Sequence, residues 1–179
     1  VIDATNKLGS TVVLKTASSG IYHKSDVDGV RLNLTSLVEV ESAYRDISSR
    51  LGPQVLVTAM IPAGVEMSLG LVKDPQFGSL VMIGAGGVLI ELSRDRRLAL
   101  PPFDADYALA MIDKLKTRTL LDGYRGREAG DVAEFANAAS RLSLIAIELG
   151  DLIAEVDVNP LIVGPCGVTA VDALIVSVR

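Results

Sequence analysis

Tryptophan is absent from this 179-residue chain, histidine and cysteine occur once each, and phenylalanine only three times. The single cysteine, Cys166, excludes an internal disulfide framework and, with one histidine, leaves no ligand set for a zinc cluster. Few aromatics and a formal charge of −5 leave neither a basic footprint nor an aromatic–basic platform for nucleic acid. No apolar run approaches the ~18 residues that a membrane-spanning helix requires, so the expectation is a protein that meets no membrane. A lone thiol fits a cytosolic, reducing compartment, and Cys166, within the turn-like GPCG, reads as a surface thiol. The chain opens on Val, and no signal-peptide pattern precedes its first strand. It is expected to be a fragment of a longer chain or one subunit, with its N-terminal part incomplete.

What is present is an ordinary globular composition, 49% hydrophobic and 22% charged. The length suits one domain, or two small lobes sharing a cleft. TVVLKTA (11–17) reads as a short buried strand, and the Gly-, Ser- and Asp-rich SSGIYHKSDVDGV as a loop feeding the strand VRLNL. Leu37, Val40, Tyr44, Ile47 and Leu51 follow helical spacing from Ser36, and Gly52-Pro53 ends that helix. VLVTAMI and VEMSLGLV read as strands around Pro62-Ala63-Gly64. SLVMIGAGGVLIEL gives two more, broken at Gly84-Ala85-Gly86-Gly87. DADYALAMIDKLK and DVAEFANAASRLSLIAIELG are helices, each opened by an Asp N-cap. Arg94, Arg96 and Arg97 suggest a solvated turn. Paired strands, two helices and a final hairpin give an α+β class rather than a βαβ series.

The hairpin EVDVNPLIVGPCGVTAVD (155–172) carries the first chemical signal. Val156 and Val158 alternate with Glu155, Asp157 and Asn159, placing the polar trio on one strand face. If Gly164–Gly167 close a loop with Val163 opposite Val168, Asn159 falls opposite Asp172. Directly opposed side chains share a face, with Cβ atoms about 4.5–5.5 Å apart. An amide oxygen and a carboxylate there could grip one hard cation such as Mg²⁺, with phosphate oxygens and water completing its shell. The bland alternative is a solvated strand face, and Pro160, lacking an N–H, argues against a central strand.

Lys15 ends an apolar strand, and either snorkels to solvent or serves as a phosphate-binding point charge. His23, in a polar loop with Lys24, Asp26 and Asp28, is either a surface residue or a nucleophile or general base. Gly86 and Gly87, within GAGG, could turn backbone amides toward an anion or merely form a glycine hairpin. Glu66 and Glu91 lie in strand-like segments, and could face solvent or hold ribose or metal.

In order along the chain, VVLK (12–15), HKSDVDGV (23–30), VLVTAMIPAGVE (55–66), KDPQFGSLVMIGAGGVLIE (73–91), LLDGYRG (120–126), EVDVNPL and the VD at 171–172 resemble an ATP-grasp domain. The resemblance is to that of the NDP-forming (ADP-forming) acyl-CoA synthetases, related more distantly to succinyl-CoA synthetase β subunits. It implies two β-rich lobes with helices and a nucleotide cleft between them. It implies Lys15 on nucleotide phosphates, a hinge from Val57 to Met60 whose backbone meets adenine, and Glu66 on the nucleotide side. Asn159 and Asp172 match Mg²⁺ ligands, Asp157 on the same face is expected to join them as a metal residue, and His23 matches the histidine that receives phosphate. The implied activity is Mg²⁺-dependent phosphoryl transfer between phosphohistidine and ADP/ATP, coupled elsewhere to acyl-CoA formation or cleavage from a small acid and CoA. The hinge lacks the usual Gln or Glu near Thr58-Ala59. Neither the CoA-binding domain nor the domain bearing the first phosphohistidine is present, which places both on the same chain or on a partner subunit. The rival is a non-catalytic nucleotide-binding or regulatory module fused to an acyltransferase or another enzyme. Joint retention of Lys15, His23, Asn159 and Asp172 argues against it. A carboxylate–amine ligase would not need the His23 loop.

Overall fold

The computed structural model describes residues 1–9, 11–87 and 94–178. The chain divides into two compact units, Val1–Ile61 and Pro62–Arg179. The first contains α1 (Ile2–Leu8), β1 (Val12–Thr16), β2 (Val30–Leu34), α2 (Leu37–Leu51) and β3 (Val55–Ala59). Its strands form an antiparallel sheet in the order β2-β1-β3. The central strand is apolar apart from Lys15 and Thr16, and all five of its residues are buried. Helix α2 starts where expected because Ser36 and Glu39 form a capping box. The Ser36 hydroxyl accepts the Glu39 N–H at 3.3 Å, and the Glu39 carboxylate accepts the Ser36 N–H at 3.1 Å. Val40, Ala43 and Ile47 bury against the sheet, with Ala43 and Ile47 packed on Leu14. Leu37, the first member of the expected apolar face, is instead exposed at the helix entry.

The second unit is α+β, as the sequence implies. It comprises β4 (Val65–Asp74), β5 (Gly78–Ala85), β6 (Arg96–Ala99), α3 (Ala105–Ile112), α4 (Arg118–Leu121), α5 (Val132–Glu148), β7 (Ile153–Gly164), β8 (Gly167–Ala170) and β9 (Ala173–Ser177). The sheet runs β6-β5-β4-β7-β8, with β9 also pairing β7, and every pairing is antiparallel. Asp104 and Asp131 cap α3 and α5 by accepting the N–H groups of Tyr107 and Glu134. Val65, Met67, Leu69 and Leu71 of β4 share one core with Phe135, Ala139 and Leu142 of α5 and Ala108 and Ile112 of α3. Fully burying a side chain such as Phe135 contributes about 2–3 kcal/mol.

Four local expectations are corrected. The strand before the glycines continues through Gly84 and Ala85, and its break comes only at Gly86-Gly87. Arg96 and Arg97 stand in edge strand β6, opposite Gly84 and Ile83, rather than in a turn. An edge strand needs little apolar surface, and Ala99 supplies its buried contact. The helix from Asp104 stops at Ile112, and a separate short helix follows at Arg118. Pro160 lies in β7, a central strand. It is tolerated because Asn159-Pro160 form a bulge opposite the single residue Ser68, between the pairs Met67–Leu161 and Leu69–Val158. The expected strand at residues 88–92 and Glu91 lie outside the described residues.

Candidate nucleotide and metal site

The bulge organises the polar face of the second unit. Core-facing pairs run Leu71–Val156, Leu69–Val158, Met67–Leu161 and Val65–Val163, so the inward parity of β7 switches across Asn159-Pro160. Val156 is buried and Val158 packs against the core, while Glu155 is exposed, as the alternation requires. The hairpin register is the one the GPCG loop implies. Val163 pairs with Val168 on one side and Val158 with Ala173 on the other. Between them the Asn159 N–H donates to the Asp172 carbonyl at 3.2 Å, and the Val171 N–H to the Pro160 carbonyl at 3.0 Å. Asn159 and Asp172 therefore face each other, with Asp157 two residues along the same face and paired with Leu174.

Gly86, Gly87 and Glu66 close on this pair. The Gly86 N–H donates to the Glu66 carbonyl at 2.9 Å, and the Gly87 N–H donates to Asn159 Oδ1 at 3.0 Å. Gly87 has φ +55°, and a Cβ there would lie 1.6 Å from Glu66 Oε2. A Cβ on Gly86 would lie 2.4 Å from the Met67 carbonyl oxygen. Both positions therefore require glycine. Gly86 and Gly87, just past the end of β5, are drawn against β4 and β7, which brings Glu66, Gly86, Gly87, Asn159 and Asp172 together.

A residue the sequence reading missed fixes the other flank. Asp95 is 5% exposed, and its carbonyl accepts the Ala85 N–H at 2.9 Å, one residue before Gly86. Its carboxylate accepts the N–H of Lys116 at 3.0 Å, and the N–H and hydroxyl of Thr117 at 2.7 and 2.5 Å. Burial pushes this carboxyl up, but the Thr117 hydroxyl and the two backbone donors outweigh it, so Asp95 titrates below its ordinary value. The signal was weak: one Asp in an arginine-rich stretch, with its partners more than twenty residues on.

Lys15, His23, Val57 and Met60 belong to the first unit. Lys15 pairs with Val30 on β2 and Leu56 on β3 and is 4% exposed, so it does not snorkel to solvent. Leu14 faces α2, which turns Lys15 to the opposite face of the sheet. His23 is exposed in the loop between β1 and β2. That loop returns to Val30 beside Lys15, through a bond from the Thr16 N–H to the Gly29 carbonyl. Among the described residues no hydrogen bond or ion pair joins His23 to Asp26. Val57 packs its side chain toward α2, and the Met60 N–H is spent on the Thr11 carbonyl at 2.9 Å. Hydrogen-bonded pairs alternate along an antiparallel ladder. Val57 and Ala59, out of phase with Met60, therefore turn their N–H and C=O groups to the outer edge of β3.

The donor set fits Mg²⁺ carried with a nucleotide. Among the described residues no three His, Cys, Asp or Glu side chains converge on one metal position. Asn159 and Asp172 offer hard oxygens, and Mg²⁺ is usually held by one or two carboxylates plus substrate phosphates and water. No described helix is long and apolar enough to cross a membrane.

The ATP-grasp domain family model matches residues 1–176. The chain is 33% identical over 177 residues to the β subunit of ADP-forming acetate–CoA ligase I of Pyrococcus furiosus, covering 94% of this chain and 76% of that subunit. It is also 33% identical to ADP-forming acetate–CoA ligase I of Archaeoglobus fulgidus, where 95% of this chain matches only 26% of the longer protein. Among solved structures it is similar to the dinucleotide-forming acetyl-coenzyme A synthetase 1 of Ca. Korarchaeum cryptofilum, in complex with coenzyme A and Ca-AMPCP. That match has 40% identity and a TM-score of 0.93, and covers 99% of this chain and 80% of that one. A second structure of the same protein holds Mg-AMPPCP, with its phosphohistidine segment pointing towards the nucleotide binding site. Spanning nearly all its length at this similarity, the chain belongs to the ATP-grasp family, as the ATP-grasp part of an ADP-forming acyl-CoA synthetase.

Proposed function

We propose that residues 1–179 form an ATP-grasp domain that passes a phosphoryl group between a phosphohistidine and ADP. The CoA-binding and phosphohistidine domains then lie on the same chain or a partner subunit. This matches relatives in which the corresponding region is either about three quarters of a separate β subunit or about a quarter of one longer chain. The observation that carries the reading is the Asn159–Asp172 pair beside the Gly87 amide and the Glu66 carboxylate. These are oxygen ligands and a close-approach backbone on one face.

In this reading Asn159 and Asp172, with Asp157 on the same face, would hold Mg²⁺. The ion supplies charge neutralisation across the nucleotide phosphates when bound. Gly86 and Gly87, packed without a Cβ against Met67 and Glu66, bring the backbone to the phosphate side of the site, where the Gly87 N–H holds Asn159 Oδ1. The outer edge of β3 at Val57 and Ala59 offers a donor and an acceptor to the base, and Glu66 meets the nucleotide from β4. Lys15 places its ammonium against the charge developing on the transferred group. A His23 imidazole nitrogen attacks the phosphorus of the incoming phosphohistidine, forming one P–N bond as the other breaks, and the departing imidazole takes a proton. In the second transfer a β-phosphate oxygen of ADP attacks phospho-His23, forming P–O as P–N breaks and giving ATP. The test is ADP affinity by calorimetry: Mg²⁺ should tighten binding roughly tenfold or more over EDTA, and equal affinity in both would overturn the metal assignment.

A further inference from the structure

The segment that follows His23 is held by a network to which no part of the proposed chemistry assigns a role. Residues 24–29 close on themselves through the Gly29 N–H to the Lys24 carbonyl at 2.8 Å and the Asp28 N–H to the Ser25 carbonyl at 3.1 Å. Asp28 takes a left-handed conformation, φ 52°, uncommon outside glycine. Arg31 grips that bend in a fork, Nη1 to Asp28 Oδ1 at 2.7 Å and Nη2 to Oδ2 at 2.8 Å. Arg50, in the last turn of α2, donates to the Val27 and Asp28 carbonyls at 3.2 and 3.1 Å. Asp46, one helical turn earlier, accepts from Arg31 Nη2 at 2.6 Å and Arg50 Nη2 at 2.9 Å, so both arginines share one anchor. The other flank of the His23 loop is tied to the same helix end, where the Ser18 hydroxyl donates to the Leu51 carbonyl.

Isolated surface ion pairs contribute little, but here a bidentate arginine, a second arginine and a shared carboxylate form a network. Its donors go to the Asp28 carboxylate, the Val27 and Asp28 carbonyls and the shared Asp46, so the network holds a loop to a helix. Both ends of the loop are fixed to the C-terminal turn of α2, and His23 stands exposed between them. We infer that Arg31, Asp46 and Arg50 are positioning residues that set the reach and orientation of His23. The inference rests on the reading of His23 as the phosphoryl carrier. A misplacement of about 1 Å in a reacting group can cost 10²-fold in rate, so a clamp that binds no substrate can still control turnover.

The test uses the complete synthetase, assembled with its CoA-binding and phosphohistidine domains. It reads kcat and KM for ADP, together with backbone hydrogen exchange over residues 21–31. Arg50→Met should lower kcat roughly tenfold or more with KM for ADP within about twofold, and should speed exchange at Val27–Gly29. Arg50→Lys, which keeps the charge and one donor direction, should recover part of the loss. If Arg50→Met does not fold, Arg31→Gln carries the same expectation. Parent kcat in these variants alongside an inactive His23→Ala enzyme overturns the positioning role, as does a change confined to KM. Parent turnover in His23→Ala removes the carrier reading itself.

Discussion

Asn159 faces Asp172 across the terminal hairpin, joined by the bond from the Asn159 N–H to the Asp172 carbonyl at 3.2 Å. This pairing puts an amide and a carboxylate on the side of the sheet away from α3 and α5. The bulge at Asn159-Pro160 keeps them there while Leu161 and Val163 return to the core.

Asp172→Ala should remove most of the Mg²⁺-dependent gain in ADP affinity while leaving the weak affinity in EDTA unchanged. Asn159→Ala should do the same and, by releasing the Gly87 N–H, should also weaken binding in EDTA. An undiminished metal dependence in Asp172→Ala, measured by calorimetry, would remove this residue from the metal site.

Gly87→Ala should destabilise the fold by roughly 1–2 kcal/mol for its positive φ alone, with the clash against Glu66 added. Glu66→Ala in the same chain should relieve part of that cost. Urea unfolding of the two single variants and the double variant measures the coupling. Strict additivity would contradict the close packing of Glu66 on Gly87.

Much of this site was legible in sequence because its determinants are local. The alternation through Val156, Val158 and Asn159, with four turn-like residues from Gly164, sets both face and register. The apolar spacing from Ser36 to Leu51 likewise marks the extent of α2. What was not legible depends on partners far apart in the chain. Asp95 reads as one more charge among arginines until Lys116 and Thr117 meet it. Arg31, Asp46 and Arg50 look like solvated charges until the turn at residues 24–29 folds onto α2. Strand β6 was hidden because an edge strand carries little of the apolar alternation by which strands are recognised. Pro160 argued against a central strand only until the bulge supplied a place for it.

Asp95 should give the fold an acid-sensitive component. Its folded pKa lies below its unfolded one, so its contribution is complete above the unfolded value and declines as pH falls through the folded value. The parent should therefore lose stability on going from neutral pH into the acid range below the ordinary carboxylate pKa. Asp95→Asn should be less stable at neutral pH by about 2 kcal/mol and show a flatter acid limb. Denaturant midpoints across that range check both, and parallel acid limbs in the two proteins would contradict the assignment.

The most direct measurement is phosphoryl labelling of the complete synthetase with γ-labelled ATP and Mg²⁺, followed by separation of the region that carries residues 1–179. The account predicts an acid-labile, base-stable phosphate on this domain that is chased by added ADP and is absent from His23→Ala, while ADP binding persists. Label retained on the His23→Ala domain, or turnover at the parent rate in that variant, would contradict it.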